Sequence, residues 1–299
     1  MNDFHRLVVA LGCIGALATM SACSTTSSAQ ANDPTTAPET TSKPVSTAPK
    51  TTDPRTTLPA TTVPATTVSE TIPQFTLPPL PINVEIVGAW IGPIVGVGKD
   101  DGPDTAVAQA RLNQLGFWTG DEDGEYDFAT TQAVMAFQKY LGLDPSGKLD
   151  QVTADHLAIF PERAHGAADD GTLVEVDKGK QLLFIIIDGK TAWVFNTSTG
   201  SEIPYTSTNR NTGEPESGDA VTPNGLWKVN RERPNGWWEG DLGDIYRPKY
   251  FRGGVAIHGM TRVPNTPVSH GCVRLSVAAM DFIWENNLVP LGTPVWVHE

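Results

Sequence analysis

A long segment rich in threonine and proline limits how much of this chain can pack into a folded core. Residues 24–81 contain 17 Thr and 11 Pro in 58 residues, with prolines every five residues from Pro44 to Pro64. Such a segment has too little apolar surface to offset the chain entropy lost on folding, so it should stay extended and disordered. We therefore predict a tether over residues 23–82 and packed structure in residues 83–299, enough for two modest cores.

The N-terminus has the features of an export signal. An apolar run over residues 7–19 follows Arg6 and precedes small residues, which is typical of a secretory signal peptide over residues 1–22. The run ends in the letters MSAC at Cys23, which resembles a bacterial lipoprotein box and implies lipidation of Cys23. The alternative is cleavage near Ala22 without a lipid. The expected location is the outer face of the cytoplasmic membrane, through the lipid anchor, with the chain reaching into the cell wall.

Charge and cysteine content narrow the possible functions. The chain has 34 acidic and 21 basic side chains and a net charge of −13. Nucleic-acid binding relies on Lys and Arg to neutralise phosphates, so no nucleic-acid partner is expected. Cys13 lies in the signal peptide and Cys23 would carry the lipid, which leaves Cys272 without a disulfide partner. A single thiol in an exported protein points to chemistry, the alternative being an inert buried cysteine.

Residues 104–162 have helical periodicity and helix-boundary residues. Asp104 is a candidate N-cap for a first helix, a second is predicted at about 129–141, and a third near Thr153. The pattern LNQLGFWTG…DGEYDFATTQAVMAFQKYLGL resembles the small three-helix peptidoglycan-binding domain. The alternative is a helical module that packs but binds nothing. The β-branched residues 83–103, broken by Gly and Pro, are predicted to form a connecting strand or hairpin.

Residues 168–299 change to the period of two that is typical of strands. The segments TLVEVD, KQLLFIII and KTAWVFNTS are separated by KG and DG, which are hairpin signals. Further strands are predicted at GLWKVN, GGVAIH and PVWVH, and Ser276 can cap one helix, VAAMDFIWENN. The fold class is therefore α+β, with a mainly β C-terminal domain, a small three-helix domain and a long tether.

One cluster of residues in this β domain has the parts for acyl transfer. His258 ends a predicted strand, and His270 lies two residues before Cys272. A thiol attacks as the thiolate, which a neighbouring imidazole or positive charge can supply. Gly271 would allow close approach to a carbonyl, and the amides of Gly271 and Cys272 can stabilise an oxyanion. Zinc bound by His258, His270 and Cys272, or a purely structural cluster, remain as alternatives.

The letters HG…PVSHGCVRLS, with TPNGLWKV upstream, resemble the L,D-transpeptidase catalytic domain of bacterial cell-wall enzymes over residues 168–299. The resemblance implies that Cys272 is the nucleophile and His258 the general base, with no metal or organic cofactor. It also implies a set of oxyanion and substrate-positioning residues: Ser269, His270, Gly271 and Arg274.

The reaction implied by this resemblance acts on peptidoglycan. Cys272 would attack the third residue of a tetrapeptide stem, release D-Ala and form a thioester. An amine of a second stem would then resolve the thioester into a 3→3 cross-link, whereas water would make the enzyme an L,D-carboxypeptidase. A non-catalytic, wall-anchoring lipoprotein is the remaining alternative.

Several residues outside the motif are candidates for substrate contact. Arg247, Lys249 and Arg252 precede the catalytic strand and are expected to pair with stem carboxylates, with packing or exposed-surface roles as the alternative. Trp237, Trp238, Tyr250 and Phe251 are candidates for a cleft wall or a lid, with core packing as the alternative.

Overall fold

The computed structural model describes residues 84–299, so the predicted signal peptide, the tether and Cys23 lie outside the described residues. Three helices come first in the described chain: α1 (Pro103–Gln114), α2 (Phe128–Leu141) and α3 (Gln151–Ile159). In this part of the chain no helix is long and apolar enough to cross a membrane.

The helix boundaries follow local capping chemistry. The Asp127 carboxylate accepts a hydrogen bond from Thr130 N at the start of α2, and Asp150 caps α3 in the same way. The prediction that Asp104 caps α1 is wrong. Proline is favoured at the first helical position, so α1 begins at Pro103 and Asp104 lies inside its first turn.

The segment before α1 is not the predicted strand or hairpin. Within residues 84–103 only two isolated bridges form, Ile86 with Glu162 and Gly98 with Leu149. Gly88, Gly92 and Gly98 have φ values of 77°, 113° and 67°, which interrupt extended backbone. The segment therefore runs along the helices as irregular chain.

The remaining described residues form twelve strands and one helix. Their bounds are β1 (Leu173–Asp177), β2 (Leu182–Ile187), β3 (Lys190–Asn196), β4 (Pro204–Thr208), β5 (Pro215–Asp219), β6 (Gly225–Lys228), β7 (Arg231–Glu232), β8 (Trp237–Gly240), β9 (Gly243–Arg252), β10 (Val255–Met260), β11 (Val273–Ser276), α4 (Val277–Glu285) and β12 (Pro294–His298). The mainly β, α+β prediction is confirmed.

The strands form two five-stranded sheets and a separate hairpin. The first sheet has the order β3-β2-β1-β12-β6, and the second has the order β11-β10-β9-β7 with β8 paired to β9. The β4–β5 pair stands apart as a two-stranded sheet. The parallel pairing of β10 with β11 places the ends of these two strands side by side.

Both faces of the first sheet are buried, which explains the unbroken apolar sequence of β2. Leu183 and Ile185 join a core shared with the second sheet and α4, where Met280 is fully buried. Phe184 and Ile186 point the other way and pack against the three helices. The structure therefore has two cores, one between the helices and the first sheet and one between the two sheets. Because the first sheet contributes to both, the helical domain and the β domain are joined by a common core.

Polar contacts join α2 to the β domain as well. The buried Lys139 ammonium donates to two main-chain carbonyls, one of them Thr197 O at 3.2 Å, and burial lowers its pKa to about 7. Gln132 accepts from Asn196 Nδ2 at 2.6 Å and donates to Val263 O at 3.2 Å. The helical domain thus contacts the chain that leads toward Cys272.

Candidate active site

His258 and the segment SHGCVR converge at one end of the second sheet. His258 on β10 is paired in register with Arg274 on β11, and Cys272 lies immediately before β11. These residues line a cleft of about 960 Å³, together with Ser269 and His270. A thiol, an imidazole and a guanidinium group therefore share one cavity.

His258 is set up as a neutral base. Its side chain is buried, and Nδ1 lies 3.0 Å from the carbonyl oxygen of Gly259. Because a carbonyl only accepts hydrogen bonds, Nδ1 carries the proton and Nε2 is left as the proton acceptor. Burial lowers the pKa of His258 to about 4, with a further contribution from the positive charge of Arg274, against a raising effect of the Gly259 bond.

Cys272 is the free cysteine of the described residues. Burial raises the pKa of its thiol, against the lowering effects of a backbone hydrogen bond at Ala256 and the charge of Arg274. Its Sγ lies 3.7 Å from the carbonyl oxygen of Gly254. The resting cleft is therefore lined by a neutral thiol and a neutral imidazole.

Hydrogen bonds hold residues 268–274, the nucleophile loop, in one conformation. Ser269 Oγ donates to Cys272 O at 2.5 Å and accepts from Gly271 N at 3.0 Å. Ser269 N donates to Thr199 O at 3.0 Å, and Thr222 Oγ1 donates to Gly271 O at 2.7 Å. Ser269 therefore fixes the backbone of Gly271 and Cys272.

The predicted oxyanion role of the Gly271 amide stays a prediction, and the structure gives this amide another partner. Its N–H donates to Ser269 Oγ, so the Cys272 N–H is the predicted oxyanion donor that is not bonded to this hydroxyl. Gly271 has φ 132°, and a Cβ built there would lie 2.9 Å from Val221 O. Glycine is therefore required here because the backbone passes close to Val221.

The other two predicted positions lie on the walls of the cleft. The exposed His270 ring packs on Tyr205 with ring centroids 4.5 Å apart. Arg274 is half-buried, and its main chain is fixed to Ser198 and to Thr197 Oγ1, which donates to Arg274 O at 2.8 Å. Its charge lowers the pKa of both His258 and Cys272.

The basic residues expected to meet substrate are instead used in the fold. Arg247 pairs with Asp281 at 2.5 Å, and Lys249 pairs with Glu232 at 2.9 Å. Arg252 lies over the Trp227 ring at 4.5 Å. None of the three lines the cleft around Cys272.

The aromatic candidates divide between the cleft and the core. Trp237, Trp238 and Tyr250 line the cleft, whereas Phe251 is buried in the core between the sheets. Sequence reasoning missed Arg231 and Arg233, which also line the cleft. The short strand β7 that carries Arg231 has no apolar alternation that would have signalled it.

The zinc alternative lacks its geometry. Residues 84–299 contain no group of three or more His, Cys, Asp or Glu side chains arranged to hold a metal ion. His258 is bonded through Nδ1 to its neighbouring carbonyl, while His270 packs on Tyr205.

Comparison with known proteins places this arrangement in a family. Residues 171–297 match the family described as an L,D-transpeptidase catalytic domain, and residues 101–157 match a peptidoglycan binding domain. The crystal structure of an L,D-transpeptidase from Xylanimonas cellulosilytica is 37% identical, with a TM-score of 0.61, over 70% of this chain and 99% of that one. The chain belongs to the L,D-transpeptidase family.

Two curated relatives match this L,D-transpeptidase family member over short segments. The N-acetylmuramoyl-L-alanine amidase CwlM of Mycobacterium tuberculosis is 37% identical over 67 residues, which is 22% of this chain and 16% of that protein. The localization factor PodJL of Caulobacter vibrioides is 39% identical over 54 residues, 18% of this chain and 6% of that protein. This chain therefore spans less than a fifth of either relative.

Proposed function

We propose that this protein is a peptidoglycan L,D-transpeptidase that forms 3→3 cross-links through a thioester on Cys272, in cell-wall biogenesis. The observation that carries the proposal is that one cleft is lined by the Cys272 thiol, immediately before β11, and by the neutral His258 on the adjacent parallel strand β10. Membership of the L,D-transpeptidase family and the peptidoglycan-binding match support the choice of substrate.

In the acylation step, Cys272 Sγ attacks the carbonyl carbon of the third stem residue while its proton passes to His258 Nε2. The Cys272 N–H stabilises the negative charge that develops on the carbonyl oxygen. The carbon–nitrogen bond to D-Ala then breaks, and the leaving amine takes the proton from His258. The products of this step are the thioester and free D-Ala.

In the second step, His258 Nε2 accepts a proton from the amine of an acceptor stem. The amine attacks the thioester carbonyl, the carbon–sulfur bond breaks, and the proton returns to the Cys272 sulfur. The result is an amide between two third residues and a regenerated thiol. Water in place of the amine would yield a tripeptide and make the reaction a carboxypeptidase reaction.

The test is mass spectrometry of residues 84–299 incubated with a disaccharide-tetrapeptide donor. We expect free D-Ala and a dimer joined through the third residues, and a mass increase on Cys272 that corresponds to the acyl group. If tripeptide forms without dimer, the reaction is hydrolysis and the transpeptidase proposal is wrong. Cys272→Ala should abolish every product while circular dichroism stays unchanged, and turnover by this variant would overturn the thioester mechanism.

We further propose that the protein is exported and lipid-anchored through Cys23, with the helical domain in contact with the wall. The apolar run over residues 7–19 and the MSAC sequence support export and lipidation. Metabolic labelling of the full chain with a fatty-acid analogue tests the anchor. Label should enter the wild-type protein and be absent from Cys23→Ala, which should leave the membrane fraction. Equal labelling of both would contradict the proposal.

A further inference from the structure

Four arginines line the cleft that contains Cys272: Arg210, Arg231, Arg233 and Arg274. Arg210 pairs with Asp244 at 3.1 Å in the same cleft. Among the described residues, Arg231 and Arg233 line the cleft and form no ion pair with a carboxylate. Among the described residues Arg274 also has no carboxylate partner, but it lies on β11 close to Cys272. Arg231 and Arg233 are therefore the two unpaired guanidinium groups of the cleft that lie away from the reacting centre.

Aromatic rings hold both guanidinium groups in place. Arg231 lies over the Tyr250 ring at 3.9 Å, and Arg233 lies over the Trp238 ring at 4.2 Å. Stacking uses the flat face of a guanidinium and leaves its in-plane N–H groups for hydrogen bonds. Arg231 Nη2 donates to Gly253 O at 3.3 Å, and its other N–H groups can bind a carboxylate. Arg233 Nε is buried and has no hydrogen-bond partner, so this donor lacks the acceptor that a buried N–H requires.

The strand register connects this pair of arginines to the reacting centre. Arg231 on β7 is opposite Tyr250 on β9, and Tyr250 is opposite Ala256 on β10. The pairing of Ile257 with Val273 places Cys272 beside Ala256. Three strand spacings of about 4.8 Å put the two ends of this row roughly 14 Å apart, which an extended peptide of about four residues can span.

We propose that Arg231 and Arg233 form an anion subsite that binds a carboxylate of the peptide donor, away from the scissile bond. The identity of the donor rests on the proposed function, but the chemistry of the ligand, an acidic peptide, comes from the two arginines. Binding at this end of the row would set the register of the donor so that its third carbonyl reaches Cys272.

The kinetic test compares two donors that differ only in whether the internal carboxylates are free or amidated. Replacing both arginines (Arg231→Gln with Arg233→Gln) should raise KM for the free-carboxylate donor about 10- to 100-fold and leave kcat within about twofold, because the charged hydrogen bonds to the carboxylate are lost away from the scissile bond. The amidated donor should respond little. Lysine at both positions should restore part of the affinity, because lysine keeps the positive charge but lacks the planar N–H donors of the guanidinium group.

Arg210→Gln is the matched control, because Arg210 lines the same cleft but already has Asp244 as its partner. It should change KM for the two donors equally. The proposal is overturned if the Arg231 and Arg233 replacements change KM equally for both donors. It is also overturned if Arg210→Gln abolishes the preference for the free-carboxylate donor as fully as those replacements do.

A binding measurement separates this proposal from the catalytic one. Calorimetric titration of Cys272→Ala with the two peptides needs no turnover. Preference for the free-carboxylate peptide that disappears when the two arginines are replaced would support the subsite even if no D-Ala were released. If the catalytic protein releases D-Ala but the Cys272→Ala protein shows no such preference, the subsite is wrong and the proposed function stands. Near-ultraviolet circular dichroism confirms that the variants fold.

Discussion

The nucleophile loop and the rim of the cleft are built in opposite ways. In the loop, Ser269 and Gly271 are buried, and side chains and neighbouring backbone supply partners for their polar groups. The rim consists of the β4–β5 hairpin and the β8–β9 hairpin, where Trp237 is 48% exposed. The tips of these hairpins are joined mainly by polar contacts such as Asn211 Nδ2 to Asp241 at 2.7 Å.

This difference separates two requirements of an acyl-transfer site. A small displacement of the attacking sulfur can lower the rate about 100-fold. The backbone that carries Cys272 therefore has to be held in place by several contacts at once. If the cleft admits two peptide stems, as we propose, its wall benefits from segments that open locally, which few core contacts and exposed hydrogen bonds allow. Perturbations of the loop should therefore be severe and those of the rim mild.

The largest effect is expected from Gly271→Ala. The added Cβ would lie 2.9 Å from Val221 O, and the φ of 132° is strained for any side chain. The loop has to move, so kcat/KM for D-Ala release should fall by roughly 100-fold or more. The matched control is Gly213→Ala on the rim, where φ is 76° but no atom lies within 4 Å. Equal losses of kcat/KM in Gly271→Ala and Gly213→Ala would contradict the expected difference between the nucleophile loop and the rim.

Ser269→Ala should have the next largest effect. It removes the two hydrogen bonds of Oγ to the Cys272 carbonyl and to the Gly271 amide, and leaves both groups without these partners. We expect kcat to fall about 10- to 100-fold with KM changed less, since the loss corresponds to roughly 1–3 kcal/mol of positioning. Ser217→Ala, which removes the exposed contact with Thr206 on the rim, is the control. A rise in KM with kcat unchanged would argue that Ser269 contacts the substrate instead.

The pKa values of His258 and Cys272 predict how the activity depends on pH. His258 must be neutral to accept the Cys272 proton, and its pKa is lowered to about 4. The acid limb of kcat/KM should therefore appear near pH 4, with about a tenfold loss for each further unit, and activity should be retained at pH 5.5. The raised pKa of Cys272 predicts slow alkylation by iodoacetamide at pH 7 that accelerates in alkaline solution. An acid limb near 6.5 would show that the imidazole is solvated.

The smallest effect is expected from Asn211→Ala. It removes the hydrogen bond to Asp241 between the two rim hairpins but leaves the Arg210–Asp244 contact in place. Because both groups are exposed, we expect kcat/KM to change by less than about threefold and the thermal midpoint to stay within about 2 °C. Steady-state kinetics and thermal denaturation measure both. A loss of kcat/KM comparable to that of Ser269→Ala would show that the rim is as sensitive to substitution as the nucleophile loop.

Local sequence signals determined much of the fold. The apolar residues of β1 to β3, which alternate or run continuously, the Ser276 cap of α4 and the apolar positions of α2 each depend on neighbours a few residues away. Interaction at this range follows from backbone geometry and is readable without a structure. The letters SHGC likewise placed a histidine, a glycine and a thiol on one short segment.

Only the tertiary structure decided how the cleft is charged and how the loop is held. Arg231 is predicted by no local pattern, yet the register of β7 with β9 brings it to Tyr250, while Arg247, nearer the motif, is paired with Asp281 instead. The Gly271 amide is taken by a side chain two residues away, whose own position depends on Thr199, 70 residues earlier in the sequence. Which charges are paired and which amides are free depends on contacts between distant strands, and such contacts form only when the sheets pack.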